Sequence, residues 1–306
     1  MAAWTGSAPR TAFITGAGGG IGAATAERLA SAGWRLALVD LDVAAAEATA
    51  EKCGAEAMFF AADITDSDSL AAAVAGTVER FGGIDLCFAN AGIATEGTLR
   101  HTDPEVFAVQ VDVNLVGTYR TVHACLPHVI ASKGYMLINA SASAIGAPPG
   151  LGAYGASKAG VENLGDTLRR EVKHLGVDVG VVYLLFVATD MVEGAEAQGE
   201  IFKTMRANFA GPLGKTITVN AAVGQIEKGI GRRSRRVMAP RGLMGVLYRA
   251  RGLAPGAIER DMVKMASAVE EATQREIASK GERAGVRTDT AATAAAAKEM
   301  GRANEN

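Results

Sequence analysis

The chain has 306 residues, with 31 Lys or Arg against 33 Asp or Glu and a formal net charge of −2. Its 49% hydrophobic and 21% charged residues can bury a large core, which excludes global disorder. The near-neutral charge argues against a dedicated nucleic-acid-binding protein. Three widely spaced cysteines, Cys53, Cys87 and Cys125, give neither a disulfide framework nor zinc spacing. We therefore expect a reduced, cytoplasmic protein with no metal site, no signal peptide and no transmembrane helix.

Short β-branched runs alternate with longer Ala-rich helical patterns through the first two thirds of the chain. The predicted strands are 10–15, 35–40, 57–61, 84–90, 134–140 and 177–186. The predicted helices are 20–32, 43–53, 66–81, 104–130, 153–175 and 218–231. Several strands are apolar without alternation, as in parallel strands covered on both faces. The pattern predicts the α/β class, with right-handed βαβ units in a Rossmann-type, doubly wound parallel sheet.

The composition changes near residue 232 and divides the chain into three predicted parts. Residues 1–240 are interpreted as the dinucleotide-binding catalytic domain, 241–280 as a helical C-terminal extension, and 281–306 as a polar, Ala-rich tail that is weakly anchored. Residues 232–251 hold seven arginines and no acid. This segment is either a solvated face, a patch for an acidic membrane surface or an anionic substrate, or a surface packed on the core or a partner subunit. We favour packing, and nucleic-acid binding is disfavoured because aromatic stacking partners are scarce.

A glycine-rich stretch, Thr15–Gly22, lies between the first predicted strand and the first predicted helix. Glycines allow the backbone to approach a pyrophosphate, and the helix N-terminus offers free N–H groups to it. Asp40 ends the second strand, where a carboxylate accepts hydrogen bonds from a ribose 2′-hydroxyl and repels a 2′-phosphate. The residues around this loop and after Asp40 include no cation, so we predict NAD rather than NADP as the cofactor. Binding the 2′-phosphate of NADP would require a cation from another part of the sequence, and Arg35 is the candidate.

Tyr154 and Lys158 are four residues apart, so on a helix they share one face. An ammonium group close to a phenol favours the phenolate, and we expect it to lower the Tyr154 pKa toward the range of a general acid/base. Ser141 ends the fifth predicted strand, at the carboxyl edge where ligands of such sheets bind. The hydroxyls of Ser141 and Tyr154 could therefore grip the same carbonyl oxygen. Ser143 competes for this role, but a spacing of 13 residues to Tyr154 favours Ser141.

In this order the motifs resemble those of the short-chain dehydrogenase/reductase family, over roughly residues 10–240. They are the TGxxxGxG spacing at 15–22, Asn90-Ala91-Gly92, Asn114, Ser141 and Tyr154-x-x-x-Lys158. The resemblance implies that Tyr154 is the general acid/base and that Ser141 polarises the substrate oxygen. It implies that Lys158 lowers the Tyr154 pKa and holds the nicotinamide ribose, and that Asn114 anchors a water of a proton relay.

The resemblance also assigns residues to cofactor binding. They are Gly16, Gly20, Ile21 and Gly22 at the pyrophosphate, Asp40 at the adenosine ribose, Asp63 and Ile64 at the adenine, Asn90 and Gly92 at the ribose pocket, Tyr154 and Lys158 at the nicotinamide ribose, and Thr189 near the carboxamide or phosphates. Two positions depart from the family pattern. Ala89 replaces the first Asn of Asn-Asn-Ala-Gly, and Leu184-Leu185 replaces the usual Pro-Gly before Thr189.

The implied reaction is hydride transfer between nicotinamide and a secondary alcohol or ketone. Residues 191–214 follow the sixth strand and include Ile201, Phe202, Met205, Phe209 and Leu213. They either line an apolar pocket for a lipophilic substrate or pack on the sheet. The resemblance further implies a homodimer or homotetramer. The alternative function is a non-enzymatic NAD-binding sensor or scaffold of the same fold.

Overall fold

The computed structural model describes residues 9–209 and 211–280, so the predicted tail, 281–306, and the first eight residues lie outside the described part. The strands are β1 (Thr11–Thr15), β2 (Arg35–Asp40), β3 (Ala57–Ala61), β4 (Leu86–Ala89), β5 (Tyr135–Asn139), β6 (Asp178–Leu184) and β7 (Arg236–Ala239). The helices are α1 (Gly20–Ser31), α2 (Val43–Cys53), α3 (Ser67–Phe81), α4 (Pro104–Val111), α5 (Thr118–Ala131), α6 (Ser143–Gly146), α7 (Gly152–Val172), α8 (Asp190–Gln198), α9 (Glu200–Asn208), α10 (Val219–Arg232), α11 (Arg241–Leu253) and α12 (Pro255–Lys280).

Within the described residues, the seven strands form one parallel sheet in the order β3-β2-β1-β4-β5-β6-β7. The chain crosses from β3 to β4, so the strand order reverses between β1 and β4. A crevice opens at such a switch point, outside the carboxyl ends of the strands. The predicted Rossmann-type, doubly wound sheet is confirmed, and its switch point places the glycine loop after β1 beside Asn90 after β4.

The central strands are buried on both faces, as their unbroken apolar sequences predict. All five residues of β1 and all four of β4 are buried. Two apolar clusters cover the two faces of the sheet, one including Phe13 and Met136, the other including Ile14 and Leu137. Successive residues of one strand therefore enter opposite layers, which is the alternation expected of a β-strand. This rigid sheet fixes the positions of the loops at its carboxyl edge.

Capping side chains mark several helix starts that the sequence predicts. Asp42 accepts a hydrogen bond from the amide of Ala45 at the start of α2, and Thr218 does the same for Ala221 in α10. These contacts satisfy amide groups that the first turn of a helix cannot pair internally. The predicted helix over 104–130 is interrupted, however, by a π-helical segment, Asp112–Gly117, between α4 and α5. Such segments are rare and are frequently found at functional sites.

The C-terminal part contains most of the elements that the sequence did not predict. Strand β7 lies within the arginine-rich segment and was not predicted, nor were helices α8 and α9, whereas α11 lies within the predicted helical extension, 241–280. Helix α12 was expected as a helical pattern, and it packs against α9. Among the described residues, none of the helices has the length and apolarity needed to cross a bilayer.

Candidate active site

The glycine loop after β1 is held in a conformation that other residues would not tolerate. Gly16 has a φ of +66°, and a Cβ built on it would lie 2.8 Å from Cα of Ala91. A Cβ on Gly22 would lie 2.0 Å from the carbonyl oxygen of Gly16. The N-cap residue of α1 is Gly19, whose lack of a side chain leaves the first amide groups of the helix open to a ligand. The loop and helix end therefore form a cradle suited to an anion.

Asp40 places its carboxylate against this loop. Its Oδ2 accepts a hydrogen bond of 2.8 Å from the amide of Gly18, and its Oδ1 accepts one of 3.1 Å from the amide of Asp42. Arg35 lies at the other end of β2, where it donates to the carbonyl oxygen of Pro9 and stacks over Phe81. The structure therefore sets a negative charge, without the Arg35 cation, beside the glycine loop.

Asn90 joins the two loops that border the crevice. Its Nδ2 donates to the carbonyl oxygens of Thr15 and Gly16 at 3.1 and 3.2 Å. Its Oδ1 accepts a hydrogen bond of 2.9 Å from Nδ2 of Asn139, at the end of β5. One amide side chain thus fixes the carboxyl ends of β1, β4 and β5 relative to one another. A ligand bound here would meet a preformed surface.

The remaining predicted cofactor residues lie at the same edge of the sheet. Thr189 approaches the glycine loop, since its Cγ2 would be 3.2 Å from a Cβ on Gly20. Ile21 is half-buried in the first turn of α1. Asp63 Oδ1 accepts hydrogen bonds from the amide and hydroxyl of Thr65, and the Ile64 side chain packs on Gly117. Asp63 and Ile64 therefore shape the loop after β3 through local and core contacts.

Ser141, Tyr154 and Lys158 come together beside this edge. Ser141 Oγ accepts a 3.2 Å hydrogen bond from the amide of Ser143, and the Ser141 hydroxyl interacts electrostatically with the Tyr154 phenol. The Lys158 Nζ lies 5.7 Å from the centre of the Tyr154 ring and donates a 2.9 Å hydrogen bond to the carbonyl oxygen of Asn139. The hydroxyl that contacts Tyr154 is that of Ser141, the serine that the spacing favoured over Ser143.

Burial decides the acid–base properties of this group. It raises the pKa of Tyr154 above the ordinary phenol value, and the interaction with Ser141 partly opposes that rise. Burial lowers the pKa of Lys158 from 10.5 to about 8, because the charged ammonium loses its hydration. The expected lowering of the Tyr154 pKa by Lys158 is therefore wrong for this structure. Loss of solvent raises the Tyr154 pKa by more than the interaction with Ser141 lowers it.

Asn114 is fully buried on the π-helical segment. Its Oδ1 accepts a 2.8 Å hydrogen bond from the amide of Ile93, and its Nδ2 donates to the Ile93 carbonyl at 2.9 Å and to Ser157 Oγ at 3.1 Å. Gly92 leaves room for this arrangement, since a Cβ there would be 2.7 Å from Asn114 Oδ1 and 3.3 Å from Lys158 Nζ. Asn114 and Lys158 thus border the same small space.

Two residues at the site were missed in the sequence. Asn139 supplies the carbonyl acceptor for Lys158 and the amide donor to Asn90. Ser157 is fully buried and links Asn114 to the Tyr154 carbonyl. The sequence gives only a weak signal for either residue. Asn139 is distinguished from other residues at strand ends only by lying two positions before Ser141. Ser157 is one of the unspecified positions between Tyr154 and Lys158.

Tyr154 also borders an apolar cluster built by α8, α9 and α12. Ile201, Phe202 and Met205 are buried, but they pack against α12. The residues that α12 contributes are Met265, Val269 and Ala272. Neither reading of this segment from sequence anticipated a helical partner from the C-terminal extension. The partly buried members of the cluster include Tyr154, Phe186 and Val192.

Two arginines of the arginine-rich segment form ion pairs with helix α7. Arg251 makes a bidentate pair with Glu162 of α7 at 2.6 and 2.8 Å, with its guanidinium 4.2 Å from the Tyr248 ring centre. Arg236 donates at 2.5 Å to Asp166, also on α7. The favoured interpretation, packing on the core, is what these two arginines show. Both bind the helix that carries Tyr154 and Lys158.

Comparison with known proteins identifies relatives of this arrangement. A family profile described as short chain dehydrogenase matches residues 10–200. The trans-4-hydroxycyclohexanecarboxylate dehydrogenase of Sinomonas cyclohexanicum is 32% identical over 196 residues, covering 61% of this chain and 76% of that protein. The 3-oxoacyl-[acyl-carrier-protein] reductase of Synechocystis is also 32% identical over 196 residues, covering 62% and 78%. The crystal structure of the 3-ketoacyl-(acyl-carrier-protein) reductase of Brucella melitensis, complexed with NADH, is 26% identical, with a TM-score of 0.67 and coverage of 75% and 96%.

Proposed function

The chain belongs to the short-chain dehydrogenase/reductase family of NAD(P)-dependent oxidoreductases acting on CH–OH groups, and from this premise we propose its cofactor, substrate class and residue roles. The cofactor is NAD, and the substrate is an apolar secondary alcohol or the corresponding ketone. The single observation that supports this best is the grouping of Tyr154 with Lys158, whose Nζ lies 5.7 Å from the centre of the Tyr154 ring and donates to the Asn139 carbonyl at the same sheet edge as the glycine cradle.

The residues at the cradle fit a dinucleotide. A Cβ on Gly16 or Gly22 would collide with neighbouring backbone, so the loop surface is open where a pyrophosphate must approach. The Asp40 carboxylate suits the two free hydroxyls of an NAD ribose and repels the extra phosphate of NADP. When bound, the dinucleotide supplies or accepts the hydride at its nicotinamide ring. The protein binds it, orients it and manages the proton.

Tyr154 and Ser141 act on the substrate oxygen. In reduction, the Tyr154 hydroxyl gives its proton to the carbonyl oxygen while Ser141 donates a second hydrogen bond to it. In oxidation, Tyr154 must first be deprotonated and then accepts the alcohol proton. Because burial raises the Tyr154 pKa, the phenol stays protonated near neutral pH and is ready to act as the acid. Alcohol oxidation by the same residue should accelerate as the pH rises.

Lys158 and Asn114 assist this proton transfer. The Lys158 ammonium, held by the Asn139 carbonyl, favours the phenolate of Tyr154 whenever the lysine is protonated. Asn114 fixes Ile93 and Ser157 around the space that it shares with Lys158. A water held in that space would connect Lys158 to solvent and return the proton. In this proposal, one proton passes from solvent through the water and Lys158 to Tyr154.

The substrate class follows from the surroundings of Tyr154. The phenol borders the aromatic and aliphatic residues Phe186 and Val192, which are partly buried. Such a surface favours hydrocarbon over charged groups, because a charge buried there would lose its hydration without a partner. The Sinomonas relative is named as a dehydrogenase of trans-4-hydroxycyclohexanecarboxylate, which supports the secondary alcohol on a hydrocarbon ring but not the absence of a charged group.

The test is NADH formation with a panel of apolar secondary alcohols, and NADH consumption with the matching ketones. Replacing Tyr154 by Phe removes the proton donor and should lower kcat by roughly 10²–10⁴-fold, with NAD affinity retained. The matched control is Tyr119→Phe, at a half-exposed tyrosine of α5, which should turn over at the wild-type rate. Wild-type activity in Tyr154→Phe would contradict the proposal. Saturable NAD binding without turnover in any protein of the set would favour the alternative, an NAD-binding sensor or scaffold.

A further inference from the structure

Helix α12 lies outside residues 10–200, the part matched by the family profile, yet it contacts three segments close to the start of α7, the helix that carries Tyr154. Its role therefore does not follow from the shared part of the fold. The three segments are the loop after β4, the turn before α7, and helix α9. Each contact is of a different physical kind.

The first contact ties the loop after β4 to Glu270. The hydroxyl of Thr98 donates a 2.6 Å hydrogen bond to Oε2 of Glu270, and Nε2 of His101 lies 2.8 Å from Oε1. Arg100 adds a longer ion pair of 3.6 Å. These hydrogen bonds keep the Glu270 pKa below the usual value for a glutamate, so the carboxylate stays ionised and accepts from both sides of the loop.

The second contact is steric and lies directly before the catalytic helix. Gly150 has a φ of +85°, and a Cβ on it would lie 2.9 Å from Cγ1 of Val269 and 3.2 Å from Cγ2 of Ile201. The same glycine accepts a 2.9 Å hydrogen bond from the amide of Gly97. Helices α9 and α12 therefore both seat on this turn, four residues before Tyr154. The close approach requires glycine at position 150.

The third contact joins α12 to α9 through an apolar face and a polar edge. Met265, Val269 and Ala272 are buried against α9. At the edge, Arg275 Nε donates to Glu200 at 2.7 Å, and Glu276 accepts a hydrogen bond from the Glu200 amide. The apolar contacts hold the helices together and the polar ones fix their register.

We propose that α12 is a specificity element, which holds the three segments close to the start of α7 and thereby limits the size of the alcohol or ketone that the site admits. The inference rests on the proposed function. Glu270 is a positioning residue in this scheme, since it acts through the loop that it holds. The apolar cluster that α12 forms with α9 extends to Tyr154, whereas its charged pairs lie at the outer edge of the two helices, so the site suits a compact, uncharged substrate. A long or branched substrate would have to displace the loop or α9.

The experiment compares Glu270→Ala with Glu271→Ala in the full, NAD-saturated chain. Glu271 is the next residue of α12, is mostly exposed and makes one 3.9 Å ion pair with Arg275. Steady-state kinetics are measured with cyclohexanol and with a bulkier secondary alcohol such as menthol. We expect Glu270→Ala to raise KM for cyclohexanol roughly three- to tenfold, the scale of one or two lost hydrogen bonds. The ratio of kcat/KM for menthol over cyclohexanol should rise by a similar factor, with NAD affinity unchanged.

Two further variants make the result decisive. Thr98→Val removes the hydroxyl from the loop side of the same contact and should move the ratio in the same direction, whereas Glu271→Ala should leave it unchanged. An unaltered ratio in both Glu270→Ala and Thr98→Val would overturn the specificity role. Failure of the proposed function looks different, because the wild type itself would then bind NAD without converting any alcohol or ketone.

Discussion

The cofactor side and the substrate side of this protein are built in different ways. On the cofactor side, most contacts are made by backbone groups and short polar side chains at the ends of β1, β2 and β4. An example is the hydrogen bond between Asp40 and the amide of Gly18. On the substrate side, long side chains join residues far apart in sequence. Thr98 and Glu270 are separated by 172 positions, and Glu162 and Arg251 by 89. The first side depends on local backbone conformation, and the second on pairs that no single motif contains.

The largest expected effect comes from breaking one of these distant pairs. Glu162 is buried on α7, and its removal leaves Arg251 without its bidentate partner. We expect Glu162→Ala to lower the free energy of unfolding by about 3 kcal/mol, the low end for a buried ion pair because Arg251 is partly exposed. Urea denaturation of the full chain measures it. Glu171→Ala, at an exposed position of the same helix, should stay within about 0.5 kcal/mol of wild type.

If Glu162→Ala proved as stable as Glu171→Ala, the anchoring of α7 by Arg251 would be disproved. Arg251 would then contribute little to the stability of α7, the helix that carries Tyr154.

A smaller effect is expected on the cofactor side, where one added methyl group tests the backbone cradle. The Cβ of Gly22→Ala would lie 2.0 Å from the Gly16 carbonyl oxygen, so the loop must move. Overpacking of this kind costs about 1–3 kcal/mol, so we expect NAD binding to weaken roughly 10- to 100-fold. The control is Gly231→Ala, in α10 and outside the glycine loop, where the added Cβ would meet no atom of the described structure within 4 Å. Calorimetric titration with NAD gives both affinities. Equal affinities for the two variants would show that the cradle tolerates a side chain.

The same contrast explains what the sequence could predict. Strand runs such as Arg35–Asp40, and the glycine loop, have signatures within a few residues, because each position must satisfy a local constraint of burial or φ. Strand β7, and the pairing of Arg251 on α11, were missed because these arginines look solvated until Asp166 and Glu162 are placed opposite them. The π-helical segment at Asn114 was missed because one extra residue in a turn hardly alters an apolar pattern. The raised pKa of Tyr154 depends on burial by α8, α9 and α12, which a motif cannot report.

Charge at the cofactor side can be tested more gently through Asp40. Replacing it by Ala removes the group proposed to bind the ribose hydroxyls of NAD and to repel the phosphate of NADP. A charge-assisted hydrogen bond contributes about 1.5–3 kcal/mol, so the preference for NAD over NADP should fall roughly tenfold or more. Affinities for both cofactors are measured by the same titration. The control is Asp42→Ala, which removes the carboxylate that caps α2 two residues away. Should Asp40→Ala keep the wild-type preference, the cofactor choice would have to be made elsewhere.

The last prediction links the two sides, since Lys158 lies between the Asn139 carbonyl at the sheet edge and the Tyr154 ring. Its pKa of about 8 in the folded protein is below the 10.5 of an exposed lysine, so between these values the unfolded chain holds a proton that the folded one has released. Stability from this group therefore rises with pH across that interval, and the cost of burying the charge is fully present below it.

The measurement is the difference in unfolding free energy between wild type and Lys158→Met. We expect this difference to move in favour of the wild type by about 2 kcal/mol from about pH 7 to about pH 9.5. Tyr154 does not interfere, because burial raises its pKa and keeps it protonated over this interval. Lys52→Met, at an exposed lysine of α2, should give a flat difference over the same pH values. If the difference in unfolding free energy for Lys158→Met did not change with pH, solvent would reach the ammonium. Attraction between the ammonium and the phenolate, rather than burial, would then set the acidity of Tyr154.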